Sequence, residues 1–262
     1  MKQKFAALLC YFWLYFFYNC TARWSPSGHT LIWVSNDKDI YYHTGNGGFD
    51  STAERVTNDG GWCITNPRIM GTIYNNQSSN CIYNGVPDWN YEEEMVGTVH
   101  TIYWAPDSES FVFVSFDVTD VPLLEYSVYP NNLASSSPDE SNPNDFEQYP
   151  RINTIKYAKA LGGIAKTKTW LVTGVSGTMQ KQEINQIGQS GTLNFDIGVG
   201  QDGEQENRYF TRIGWSRDAS WFAMTWTSRA GTQSKTMVCK AADGACEQSG
   251  REDGGVKGTW NG

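Results

Sequence analysis

Positive charge is scarce in this sequence: 20 Lys and Arg stand against 28 Asp and Glu, for a formal net charge of −8. A nucleic-acid partner asks for a basic face, so that class is excluded. Charged residues of both signs make up only 18% of the 262 residues, too few for a disordered acidic polymer. Histidine is equally sparse. Its three copies, His29, His43 and His100, are scattered, no Cys/His spacing suits zinc, and neither a metal nor a cofactor is expected. Apolar residues do not recur at helical period over any stretch long enough to build a helical domain. The Gly-x-Ser-x-Gly elbow of a serine hydrolase is also missing; in the near miss Gly174-Val-Ser-Gly177 the second Gly follows Ser176 directly. What the chain does have is length enough for a real core, 14% aromatics, 11 Trp and 26 Gly. That mixture suits short strands and tight turns, an all-β protein.

The first residues speak to compartment. Lys2 and Lys4 precede an uncharged run from Phe5 to Ala22, apolar for 14 residues as far as Tyr18, with small residues at Cys20-Thr21-Ala22. This resembles a secretory signal and falls short of the ~20 residues of a comfortable membrane span. Residues 1–22 are therefore read as a signal peptide or a type II signal-anchor, with a buried aromatic strand as the alternative. An extracellular or cell-surface location is expected. Sequons at Asn19 and Asn76 and six Cys fit that compartment, and Asn76 is the expected glycosylation site. Cys239 and Cys246 flank the turn pair Asp243-Gly244, a spacing that favours a local disulfide; Cys63 and Cys81 could close a second loop.

Three segments share one pattern: Arg23 to Val34, Tyr103 to Val114 and Gly214 to Thr225 each carry a Trp, a turn of Ser, Pro, Asp or Gly, and then an apolar, β-branched run. The turn residues set a reversal and the run supplies a buried strand. Repetition at irregular spacing suits a propeller with variable insertions, a β-sandwich being the alternative. Asp39 to His43 and Trp170 to Thr173 read as intervening strands, whereas 131–150 and the Gly-rich 188–203 read as loops.

The segment with most chemistry is Asp88-Trp-Asn-Tyr-Glu-Glu-Glu-Met95. Three adjacent carboxylates repel, so they need solvent or a cation. On a strand Glu93 and Glu94 would point to opposite faces; a helical turn could aim both at one protonated amine. Trp89 and Tyr91 suggest a packed base beneath the acids. The other reading is a solvated acidic turn.

The run Ile82 to Met95 closely resembles the dipeptidyl peptidase IV family, serine-type peptidases. So do Phe116-Asp-Val-Thr-Asp-Val-Pro-Leu-Leu-Glu-Tyr-Ser-Val-Tyr129, Tyr149-Pro150, and Tyr209 to Cys246 with its short disulfide loop. With Trp24-Ser-Pro upstream, these stretches occur in the family's order from Ala22 to Cys246. The resemblance implies an eight-bladed β-propeller stacked on an α/β-hydrolase domain whose Ser-Asp-His triad removes N-terminal dipeptides. It implies that residues 23–262 form a partial propeller. Glu93 and Glu94 would hold the substrate's free N-terminus with Trp89 and Tyr91 in support, Glu92 would point elsewhere, and a Cys239–Cys246 bridge would form. Expected partners are peptide N-termini, once a hydrolase domain is supplied, and a protein partner or homodimer. With no catalytic residue in sight, the chain is expected to be inactive alone. The alternative is an accessory or binding protein of the same family, of the kind that modulates membrane channels. Departures from the family pattern are an insertion at 62–80, Lys156-Tyr-Ala-Lys-Ala160 in place of a Tyr-Pro-Lys pattern, Gly97 after the acids, and a missing opening blade with its substrate-assisting Arg.

Overall fold

A computed structural model describes residues 21–44, 53–61, 81–128, 150–160, 162–184 and 208–253. Most of the leader-like segment, the 62–80 insertion with Cys63 and Asn76, the excursion that follows Val128, and the Gly-rich 188–203 lie outside the described residues. Thr21 and Ala22, the last two residues read as leader, belong to the first strand.

Nearly everything described is antiparallel sheet. The first sheet is a four-stranded meander of β1 (Thr21–Trp24), β2 (Thr30–Val34), β3 (Ile40–Thr44) and β4 (Glu54–Arg55). The second contains β5 (Ile82–Asn84), β6 (Ile102–Trp104), β7 (Ser110–Asp117), β10 (Lys166–Thr173) and β11 (Gln180–Ile184). Between β7 and β10 the chain makes a separate two-stranded ribbon, β8 (Leu123–Val128) with β9 (Arg151–Lys156). The third sheet is a meander of β12 (Arg208–Trp215), β13 (Trp221–Ser228), β14 (Gln233–Lys240) and β15 (Cys246–Asp253). These are three consecutive blades of a partial β-propeller.

The Trp-turn repeat opens each blade in the same way. Trp24 pairs with Leu31, Trp104 with Phe111 and Trp215 with Phe222, each seven residues apart across the hairpin. In each turn the fourth residue donates its N–H to the carbonyl of the first: Gly28 to Ser25, Ser108 to Ala105, Ala219 to Ser216. That fourth residue adopts positive φ, at 74°, 65° and 60° respectively, which closes a type I turn onto right-twisted strands. Aspartate side chains complete two of the turns, Asp107 accepting from the N–H of Glu109 and Asp218 from that of Ser220. Trp104 then packs on Phe111 at 5.2 Å and Trp215 on Phe222 at 5.0 Å.

Blade position explains the hydrophobic patterns. The middle blade has a neighbour on each face, so β7 is buried along nearly its whole length and reads as the unbroken run Phe-Val-Phe-Val-Ser-Phe. β2 covers one face only and alternates.

A polar network joins the first two blades. The buried Asp39 accepts from Thr57 (2.6 Å), the Gly60 N–H (3.0 Å), Asn84 (3.2 Å) and Arg55. Asn84, on β5, also donates to Asp59 (2.9 Å), accepts from Ser115 (2.5 Å), and gives its N–H to the Lys38 carbonyl. The second and third blades meet at Trp215, whose indole N–H donates to the Tyr103 carbonyl at 3.0 Å. Gly244, at φ +67°, lies so close to the Gln182 and Ile184 side chains that a Cβ there would push them aside. Gly244 sits in the loop closed by the Cys239–Cys246 disulfide. Cys81 is also disulfide-bonded; its expected partner Cys63 is outside the described residues.

Asn84→Ala removes one of the four donors to the buried Asp39 carboxylate and leaves the buried Ser115 hydroxyl without its Asn84 acceptor, and should lower unfolding free energy by about 1–3 kcal/mol in urea titration. A change below ~1 kcal/mol would mean that the network is dispensable. Replacing both Cys239 and Cys246 by Ser should cost about 2 kcal/mol, the loop-closure value for so short a ring, read by the same titration.

Candidate functional site

The acidic motif sits where the innermost strand of the middle blade is interrupted. β5 and β6 pair with the same edge of β7, β5 opposite Ser115–Asp117 and β6 opposite Phe111–Phe113. Everything from Gly85 to Thr101 is expelled between them. The loop is closed at its base by three backbone bonds: Gly85 N–H to Val114 O (3.0 Å), Thr101 N–H to Gly85 O (2.8 Å) and Val114 N–H to Thr101 O (3.1 Å). Gly85 has φ +71°, and a Cβ there would stand 2.9 Å from the Ile102 side chain. Glycine is what lets the neck close.

Within the loop, Trp89 and Asn90 lead into a π-helical turn, Tyr91–Val96, that ends at Gly97 in the left-handed region (φ 63°). Asp88 starts it. Its Oδ1 accepts the Tyr91 N–H at 3.0 Å and its carbonyl accepts the Glu92 N–H at 2.9 Å. The three glutamates occupy the first turn, where the free N–H groups of a helix favour negative charge. Tyr91 is the buried foot at 0% exposure. Its ring meets Phe116 (4.8 Å) and Tyr209 (5.6 Å) edge-on, and its hydroxyl accepts the Phe210 N–H at 3.3 Å. Trp89 remains 40% exposed and leans on Tyr157 at 4.6 Å.

The acids divide. Glu93 and Glu94 are exposed; Glu92 is half-buried. Burial first and the Glu93 charge second raise the Glu92 carboxyl above its usual range, and the Lys38 ammonium opposes them. Lys38 is itself buried, 5.0 Å from the Tyr83 ring centre; burial lowers it to about 8 while Glu92 pulls the other way. Glu92 thus answers to a cation beneath the loop, and the next two acids project into solvent. A helical turn of this kind sets consecutive side chains roughly a quarter-turn apart, so Glu93 and Glu94 share the outer side, which a strand would forbid.

Sequence reasoning missed two contributors. Asp88 was readable, because an Asp three residues ahead of Tyr91 has the spacing at which a side-chain oxygen accepts an N–H at the start of a helical turn. Lys38 left no signal; it lies in the β2–β3 turn, far away in sequence. Burial pushes the Asp88 carboxyl up to about 6 against the Tyr91 N–H that stabilises its charge, and Oδ2 has no hydrogen-bond partner among the described residues. Among those residues no group of His, Cys, Asp and Glu could hold a metal ion, and no helix is long and apolar enough to cross a membrane.

The profile of the dipeptidyl peptidase IV (DPP IV) N-terminal region matches residues 18–256. Dipeptidyl peptidase 4 of Sus scrofa is 36% identical over 137 residues, 52% of this chain and 13% of the relative. A probable dipeptidyl-aminopeptidase B of Grosmannia clavigera is 25% identical over 228 residues, 84% of this chain and 19% of that protein. Among solved structures, dipeptidyl peptidase 4 of Porphyromonas gingivalis superposes over 89% of this chain and 25% of its own, with a TM-score of 0.60 at 19% identity. The chain therefore spans less than a fifth of these curated relatives.

The raised Asp88 carboxyl has a signed consequence. Its folded pKa of about 6 lies above the ordinary 3.8, so its contribution to stability is complete below about 4 and is lost as pH rises through 6. Asp88→Asn keeps the acceptor for the Tyr91 N–H and removes the ionisation. Between pH 4 and pH 7 the variant should gain about 2 kcal/mol relative to the unmodified chain in urea midpoints. A difference that stays constant with pH would show that the carboxyl is not strained.

Proposed function

The chain belongs to the dipeptidyl peptidase IV family, and on that premise we propose that its acidic turn holds the free N-terminal ammonium of a peptide, through Glu93 and Glu94. The observation that carries this reading is the division of the triplet: Glu92 is half-buried, within reach of the Lys38 charge, while its two neighbours are exposed on a turn anchored by a buried tyrosine. Two carboxylates on a fixed base offer an ammonium charge-assisted hydrogen bonds. They also set a distance. A peptide tethered by its amine presents the same peptide bond, the second, to whatever group attacks it, which is how a dipeptide product is selected. The attacking serine and its partners are a separate requirement. These 262 residues contain no Gly-x-Ser-x-Gly motif, so in this reading they supply recognition and a hydrolase domain supplies the chemistry. The disulfide-closed loop at Cys239–Cys246 supports an oxidising compartment, at the cell surface or outside the cell.

Titration of the isotope-labelled chain, joined to a relative's hydrolase domain whose nucleophile has been removed, with Ala-Pro-amide, followed by nuclear magnetic resonance, should move the resonances of residues 92–97. N-acetyl-Ala-Pro-amide, which has no charge at its amine, should bind at least roughly tenfold more weakly. Glu93→Gln and Glu94→Gln should each weaken the free-amine ligand by roughly three- to tenfold, and Glu92→Gln by less than about twofold. Equal effects from all three, or none, would make the triplet a solvated turn.

A further inference from the structure

Glu93 and Glu94 are exposed, and the turn that carries them is anchored by Tyr91, its one buried residue, with Met95 and Val96 half-buried against the core behind it. The Tyr91 hydroxyl has two partners. One is the Thr167 side chain, on β10 of its own blade. The other is the Phe210 N–H, on the next blade. Phe210 lies beside a bulge: the β12–β13 register steps from Phe210 straight to Arg212, and Thr211 is left over, its hydroxyl turned to the Thr225 carbonyl at 3.1 Å. Among the described residues β12 is the end strand of its sheet, with β13 on one side only, so an N–H on its other side has no ladder partner among them. Tyr91, reaching down from the acidic turn, supplies the acceptor for the Phe210 N–H. Bulges re-aim strands beside functional sites, and this one lies next to the bond in question. The rings of Tyr209 and Phe116, edge-on to Tyr91, leave its phenol little freedom to tilt.

Resting on the amine-binding reading above, we propose that Tyr91 is the positioning residue of that site. Through its hydroxyl the third blade, at Phe210, sets the height and tilt of Glu93 and Glu94 above the second. The site then depends on how two blades are docked, and a shift of β12 by one hydrogen-bond length is felt by the ammonium although β12 does not touch it.

Tyr91→Phe removes the hydroxyl and keeps the ring. In the same titrations of the joined protein with Ala-Pro-amide the variant should bind roughly three- to tenfold more weakly, while binding of N-acetyl-Ala-Pro-amide stays unchanged. The decisive readout is a double-mutant cycle. In a chain that already carries Glu93→Gln and Glu94→Gln, adding Tyr91→Phe should have no further effect on the free-amine ligand, because the groups it positions are gone. An equal loss in both backgrounds, or an affinity within twofold of the unmodified chain, overturns the proposal. If Tyr91→Phe does not fold, Thr167→Val removes the phenol's other partner and leaves Tyr91 in place; it should weaken the free-amine ligand about twofold, and an unchanged affinity counts against the proposal. Should the two Glu→Gln changes leave the free-amine affinity untouched, the amine reading falls and takes this proposal with it. If they weaken it and Tyr91→Phe does not, only the positioning role falls.

Discussion

The hydrogen-bonding edge of β7 is the constraint on which the site depends. A central strand cannot leave its N–H and C=O groups unpaired in the interior, and here two short strands, β5 and β6, share the work of pairing one edge. Whatever lies between them must leave the sheet plane and return within one residue step. The bonds among Gly85, Val114 and Thr101 close that neck. The expelled segment is therefore a loop with a rigid root, and its acids stand on the inner strand position of a blade. An ordinary surface turn of the same composition would lack that root.

Neighbouring blades then decide how the loop lies. On one side the first blade provides Lys38, the Asp39–Asn84 network and the Thr21 hydroxyl, which donates to the Val99 carbonyl at 3.1 Å. On the other side the third blade provides the Phe210 N–H for Tyr91 and the Trp215 indole for the Tyr103 carbonyl. The two junctions differ in character. The first is built from buried charged and amide groups that must all be matched, which penalises misalignment heavily; the second is largely aromatic, with the bonds to the Tyr91 hydroxyl and the Tyr103 carbonyl fixing its register. Burial shifts both Asp88 and Lys38, one raised to about 6 and the other lowered to about 8. Such opposed shifts are common where a fold holds charge in place for binding.

Much of the architecture was legible because it is local. The Trp-turn-strand units became the opening hairpins of all three blades, since a type I turn closed by a residue of positive φ needs only six consecutive residues. Of the segment Asp39 to His43, all but Asp39 falls in β3, and Trp170 to Thr173 fall in β10. Less legible were the ribbon of β8 with β9, which interrupts the middle blade, and the split inner strand. Both pair residues far apart in the chain, and periodicity carries no record of which distant edge a short apolar run will meet. The acids were conspicuous as a triplet, but a strand and a helical turn were both open for them.

Composition and local pattern by themselves determined an all-β chain with a repeating blade-opening unit, a disulfide-closed turn and an acidic stretch beside Trp89 and Tyr91. These follow from properties carried by adjacent residues: turn propensity, alternation, and the reach of two cysteines across a hairpin. Only the tertiary structure decided which acids face solvent. Glu92, Glu93 and Glu94 are chemically identical and consecutive. They are told apart by Lys38, 54 positions upstream of the first of them, and by the Phe210 N–H that holds Tyr91, 119 positions beyond that tyrosine. Burial and opposite charge act over a few ångströms, and the fold alone sets which residues come within that range.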